Sequence, residues 1–160
     1  MTTFLGRYAP QLYGVLRIIV GMMYWMHGTQ KLFAWPLGVG GQPGATQPLF
    51  SMLGAAGVVE TVGGFMIMTG LYASWAGFIC SGEMASAYFI RQFPFAFLPI
   101  FVRPGIVAES AIFNCFFFLY VAATGSGRLS LDSLFGIGDC KPPARKTAGT
   151  AVGAGSTSRL

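Results

Sequence analysis

Residues 12–33 read LYGVLRIIVGMMYWMHGTQKLF, an apolar run that nevertheless carries Arg17, His27 and Lys31. A hydrocarbon core about 30 Å thick needs roughly 20 helical residues at about 1.5 Å each, and this run supplies them. It predicts a first transmembrane helix with functional groups inside it. Ionisable side chains at bilayer depth cost about 2.5–3.5 kcal/mol each, whereas Leu, Ile, Phe and Val return only about 0.3–0.6 each. Something in the fold has to compensate for them.

The spacing within the run says where. Gly14, Gly21 and Gly28 recur every seven residues, as do Arg17, Tyr24 and Lys31 three positions further on. Seven helical residues return to within about 20° of the start, so one face carries glycines beside cations. Glycines at this spacing admit a second helix closely, one of the few packing forces available in lipid. Two readings remain open for Arg17: it snorkels to a surface from a plain packing seam, as Lys31 would to the other, or it faces the interior. His27 and Lys31, one turn apart around Gly28, are read as part of a polar interior site.

Composition sets the class. Of 160 residues, 54% are hydrophobic and 9% charged, and the mean hydropathy is +0.62, values that belong to a polytopic membrane protein. The net charge of +5 comes from residues flanking apolar runs and from the tail, so it speaks for membrane orientation and against nucleic acid as a partner. Cys80, Cys115 and Cys140 form no CxxC pair, which argues against a disulfide framework or a thiolate metal site and favours small apolar roles. The first apolar run is too long for a cleavable signal and is expected to stay in the protein.

Along the chain, residues 1–11 form a cytoplasmic head with Pro10 suited to a helix start. The first span ends near Trp35 and Pro36, and the uncharged LGVGGQPGATQP of residues 37–48 reads as a loop. Residues 49–71 make a second span, in which Gly57, Glu60 and Gly64 share a face; Glu60 is either protonated and structural or partnered and functional. A tight turn then sends a third span over residues 74–90, with Ala76, Cys80, Glu83 and Ala87 on one face. Residues 91–105, RQFPFAFLPIFVRPG, are aromatic but broken by three prolines, and are expected to lie over the helix ends. The fourth span, residues 106–123, brings Glu109 and Asn114. Glycines end it, and Ser130 and Asp132 start a short interfacial turn. The tail, residues 136–160, is expected to be disordered.

The fold class is therefore all-α, an integral membrane four-helix bundle over residues 12–135. Four spans place both termini on one side, together with Arg7, Arg128, Lys141, Arg145, Lys146 and Arg159; Lys31, Arg91 and Arg103 fall on the other. That bias puts both termini in the cytoplasm. His27, Lys31, Glu83 and Glu109 then fall in the outer half, while Arg17 and Glu60 sit nearer the centre or the cytoplasmic side.

These features together resemble the DoxX family of small bacterial and archaeal membrane proteins. The resemblance rests on Arg17-x3-Gly21 leading into His27-Gly28-x2-Lys31, on Glu60-x2-Gly63-Gly64 with Gly70-Leu71, on Met84-x2-Ala87, and on Glu109 with an aromatic span ending in GSGRLSLD at residues 125–132. It departs from the family where Gly125-Ser126-Gly127 replaces Gly-Pro-Gly, and where Arg91 and Gln92 stand in place of a further histidine. It implies a redox-associated subunit of the bacterial or archaeal inner membrane, with a quinone-facing or accessory role in respiratory or sulfur and thiol chemistry.

Three functions follow. In the first, a quinone binds in the outer half among His27, Lys31, Glu83 and Glu109, covered by residues 93–101. These side chains offer donors for the carbonyl oxygens and carboxylates for protons. One histidine and no cysteine cluster leave no cofactor held by the chain itself, so the redox centre belongs to another membrane or redox subunit. The second is a non-catalytic anchor or assembly subunit whose polar residues serve fold specificity. The third is a small transporter or proton-coupled channel made sufficient by homo-oligomerisation. Membrane lipid is a partner in all three.

Overall fold

The computed structural model describes residues 4–92 and 108–137. Five α-helices follow in order: α1 (Ala9–Phe33), α2 (Met52–Thr69), α3 (Ala73–Ala87), α4 (Ala108–Thr124) and the short α5 (Leu131–Phe135). Among the described residues there is no strand. The aromatic segment 93–101 and all of the tail beyond residue 137 lie outside the described residues.

Local chemistry accounts for the helix boundaries. A 3-10 turn over Gly6–Tyr8 runs directly into α1, whose first turn contains Pro10, so the helix begins three residues before the apolar run does. It stops at Ala34, which adopts a left-handed conformation (φ 54°) and donates its N–H to the Thr29 carbonyl before Pro36 prevents continuation. The loop then folds back on the helix end, with the Gln47 N–H donating to the Lys31 carbonyl at 2.8 Å. Ser51 caps α2 by accepting from the Gly54 N–H at 3.0 Å, which moves the start of that helix to residue 52. A wide π turn over Tyr88–Gln92 follows α3.

The helices pack as two close pairs, α1 with α2 and α3 with α4, joined by a thinner α2–α3 contact. Glycine makes the first pair close: a Cβ at Gly21 would lie 2.6 Å from the Met68 nitrogen, and one at Gly64 would lie 2.5 Å from that of Trp25. The expected face of Gly57, Glu60 and Gly64 is therefore the one that meets α1. Large rings rather than close backbones bridge α1 and α4, with Tyr24 against Phe118 at a centroid distance of 4.6 Å.

Polarity is distributed inside out. Arg17 is fully buried and is the largest such side chain, whereas Trp75, Phe78, Phe113 and Phe116 are each more than 60% exposed. Among the described residues, α2 is the one helix long and apolar enough to cross a membrane unaided; the apolar stretch Glu109–Thr124 is shorter.

Candidate functional site

A cavity of about 770 Å³ lies between the two helix pairs, at the end of the bundle remote from the α2–α3 turn. All four long helices contribute to it. Helical periodicity delivers its polar groups, since Tyr24 and Lys31 occupy the same heptad position of α1 and Glu60 sits on the α2 face that meets α1. In a helix the Lys31 side chain leans back towards the N-terminus, deeper into the bundle. Its Nζ there meets Glu60 Oε1 at 2.5 Å.

A second pair lies across the cavity, where the Tyr24 hydroxyl donates to Glu83 Oε2 at 2.7 Å. Glu60 is only 4% exposed and Lys31 is 23% exposed, so the ammonium faces the open space while the carboxylate sits behind it. Glu60 Oε2 is buried without a hydrogen-bond partner. Asn114 adds an amide from α4, and Val59, Met84 and Ala87 supply apolar wall. One ammonium, two carboxyl groups, a phenol and an amide thus converge on an apolar chamber. Such a chamber can accept and donate hydrogen bonds at both ends of a small planar molecule and hold a proton on a carboxylate.

The other residues singled out by sequence go elsewhere. His27 lines the cavity but is exposed, a rim residue rather than an interior one. Glu109 is also exposed and does not line the cavity; its neighbours Ser110 and Ala111 do, because the acid falls on the adjoining face of α4. Glu60, at the middle of α2, shares the cavity with Lys31.

Arg17 neither snorkels nor joins the cavity. It is buried at the opposite end of the bundle, where Nη1 donates to the Ile67 carbonyl at 2.9 Å and Nη2 donates to the carbonyl of Leu129. The segment after α4 is thereby pinned to the ends of α1 and α2. Asp132, buried as well, completes the latch by accepting from the Tyr72 N–H at 3.2 Å and from the Ser126 hydroxyl. Gly70 sits between the two, at a left-handed φ of 72°, where a Cβ would strike the Arg17 guanidinium and Ser130.

The site role of Tyr24 and the burial of Asp132 emerge only from the structure. Tyr24 carried a signal in its heptad relation to Arg17 and Lys31, but a phenol draws no attention beside two cations. Asp132 carried none.

The DoxX family profile matches residues 13–92, half of the chain. The chain belongs to the DoxX family. A protein of Haemophilus influenzae, described as uncharacterised, is 37% identical over 134 residues, which cover 82% of this DoxX chain and 96% of that protein. No solved structure matches. The family is a membrane-associated one, in keeping with the exposed aromatic faces of this member. The matched stretch contains Tyr24, Lys31, Glu60 and Glu83, so both polar pairs of the cavity fall within the family region.

Proposed function

We propose that this protein is a multi-pass subunit of the bacterial or archaeal inner membrane, associated with redox metabolism, whose interior cavity receives a quinone head group. The inverted polarity supports the membrane setting, since a buried arginine beneath exposed Trp75, Phe113 and Phe116 is a poor arrangement in water and a favourable one in lipid. The 25 residues of α1 reach about 37 Å, enough to cross at a tilt. With Lys31 turned inward, the basic residues outside the spans divide six to two in favour of the side assigned to both termini, a bias that supports a cytoplasmic location for them.

The observation that carries the functional reading is the pairing of Lys31–Glu60 with Tyr24–Glu83 around an apolar chamber. The oxygens of a quinone need hydrogen-bond donors when oxidised and acceptors when reduced. Lys31 has N–H groups beyond the one committed to Glu60 and can donate, Glu83 can accept on the oxygen that Tyr24 leaves free, and the aliphatic wall takes the ring. A volume of about 770 Å³ fits within the roughly 300–1,000 Å³ of small-molecule sites. Bound quinone would supply the two-electron, two-proton chemistry, and the electrons are assigned to a partner subunit. In this chain, Glu83 holds or releases a proton beside Tyr24, and Lys31 orients an oxygen.

Quinone titration of the purified protein, followed by tryptophan quenching, tests this reading. Lys31→Met and Glu83→Gln are each expected to weaken binding tenfold or more, and Phe116→Leu on the outer face to leave it unchanged. No binding by the wild type, or equal affinities across the set, would refute it. That result would favour the anchor reading, in which the Lys31–Glu60 pair, set on the glycine-lined α1–α2 contact, serves fold specificity alone.

A further inference from the structure

The shape of the cavity carries one step more, which rests on the quinone reading and specifies the ligand and its orientation. Helices α2 and α3 are antiparallel and joined at Gly70 by a tight turn. They touch where Gly63 lies against the Cys80 thiol. Counting outward from that contact, Glu60 falls level with Glu83, Ala56 with Ala87 and Leu53 with Ile90. All six line the cavity. Beyond Gly63 and Cys80 the two helices thus face each other across open space, and the lining changes in character along it. The deep end is polar, with Glu60 and Glu83. The shallow end is walled by Leu53, Ala56, Ala87 and Ile90.

That shallow end reaches the outer surface of the bundle. Of the residues lining it, Met52 is 61% exposed and Ile90 is 51% exposed, and Ala55 and Ser86 are exposed too. Side chains are small at Ala55, Ala56, Ser86 and Ala87, and the outer edge there carries the large apolar Met52 and Ile90 beside the uncharged Ser51 and Ser86. The rim on the α1 side, by contrast, carries His27. An amphiphile therefore has one consistent way to lie: polar head inward between the two acid-bearing pairs, hydrocarbon outward between α2 and α3.

We propose that the ligand is a lipid-tailed quinone, with its chain leaving the cavity sideways through the α2–α3 slot into the bilayer, and that Ala56 and Ala87 set which tails pass. Small side chains at these two levels leave space between the helices for a hydrocarbon chain, and each methylene that leaves water for it adds to affinity. A head group without a tail leaves that part of the cavity unfilled.

The test uses the full chain in lipid nanodiscs and two probes, a dimethoxy-methyl-benzoquinone without a tail and the same head bearing a decyl chain, with the corresponding naphthoquinone pair run alongside. Ala56→Leu and Ala87→Leu are measured separately, so that failure of one variant to fold leaves the other. Each is expected to weaken binding of the decyl compound at least tenfold while moving the tail-less compound less than twofold. Lys31→Met is expected to weaken both compounds alike. If wild type binds both probes and the alanine variants affect them equally or not at all, the slot assignment is overturned while the head-group site stands. If wild type binds neither pair, the quinone reading itself fails, and the slot assignment with it.

Discussion

Removing one partner of the Lys31–Glu60 pair should destabilise the fold asymmetrically. Breaking a buried ion pair by deleting one member costs about 3–5 kcal/mol, because the remaining charge is left uncompensated. The two members differ in what remains for them. Glu60 is 4% exposed, and its Oε2 already lacks a partner, so Lys31→Met leaves a carboxylate with both oxygens unsatisfied behind the α1–α2 contact. That variant should lose about 3 kcal/mol or more. Lys31 is 23% exposed towards the cavity and can turn its ammonium to water, so Glu60→Gln should cost only about 1–2 kcal/mol. The double change Lys31→Met with Glu60→Gln removes both charges and should return to within about 1 kcal/mol of wild type, a coupling of about 3 kcal/mol. The measurement is reversible unfolding in mixed micelles, following helicity and tryptophan emission for the four proteins. If Lys31→Met costs no more than Glu60→Gln, or if the single losses simply add in the double variant, the assignment of a buried, uncompensated Glu60 is wrong.

Gly70→Ala should lower stability by about 2 kcal/mol or more, since it combines a left-handed φ with a Cβ directed into the Arg17 guanidinium; a thermal melt within error of wild type would count against the latch. Arg17→Lys should also lower the melting temperature, because an ammonium lacks the planar fork that reaches the Ile67 and Leu129 carbonyls together, and limited proteolysis should then cut first near residue 128. Glu109→Gln should change stability by less than about 0.5 kcal/mol and leave quinone affinity unaltered, as its side chain is exposed outside the cavity; a tenfold loss of affinity would return it to the site. Reporter fusions at residue 160 and within residues 38–47 should report cytoplasm and exterior respectively, and an exported residue 160 would reverse the orientation.

Much of the interior was legible in advance because a helix repeats its faces at a fixed angle. The seven-residue recurrence in 12–33 puts Gly14, Gly21 and Gly28 on one packing face beside Arg17, Tyr24 and Lys31; the three glycines are buried, and the structure settles Arg17, which the pattern leaves open between a surface and the interior, as buried too. The triplet Gly57, Glu60 and Gly64 does the same for α2. Both patterns require only one helix and its own geometry. Glu109 shows the limit of that reasoning: one residue of α4 lines the cavity and its neighbour does not, and α4 lacks the spaced glycines that mark the packing faces of α1 and α2.

By itself, then, the sequence determined the helical character of the chain, the approximate bounds of its long helices and the inward face of α1 and α2, since composition and periodicity are properties of single segments. Tertiary structure decided which groups meet. Lys31 reaches Glu60 because glycine contacts set the register of α1 on α2, and Tyr24 reaches Glu83 because α3 returns antiparallel from a turn at Gly70. Arg17 and Asp132 serve one latch although 115 positions separate them in the chain, because the segment after α4 folds back over the ends of α1 and α2. A contact between distant residues depends on relative helix register and on loop return, and neither quantity is encoded in the pattern of any one segment.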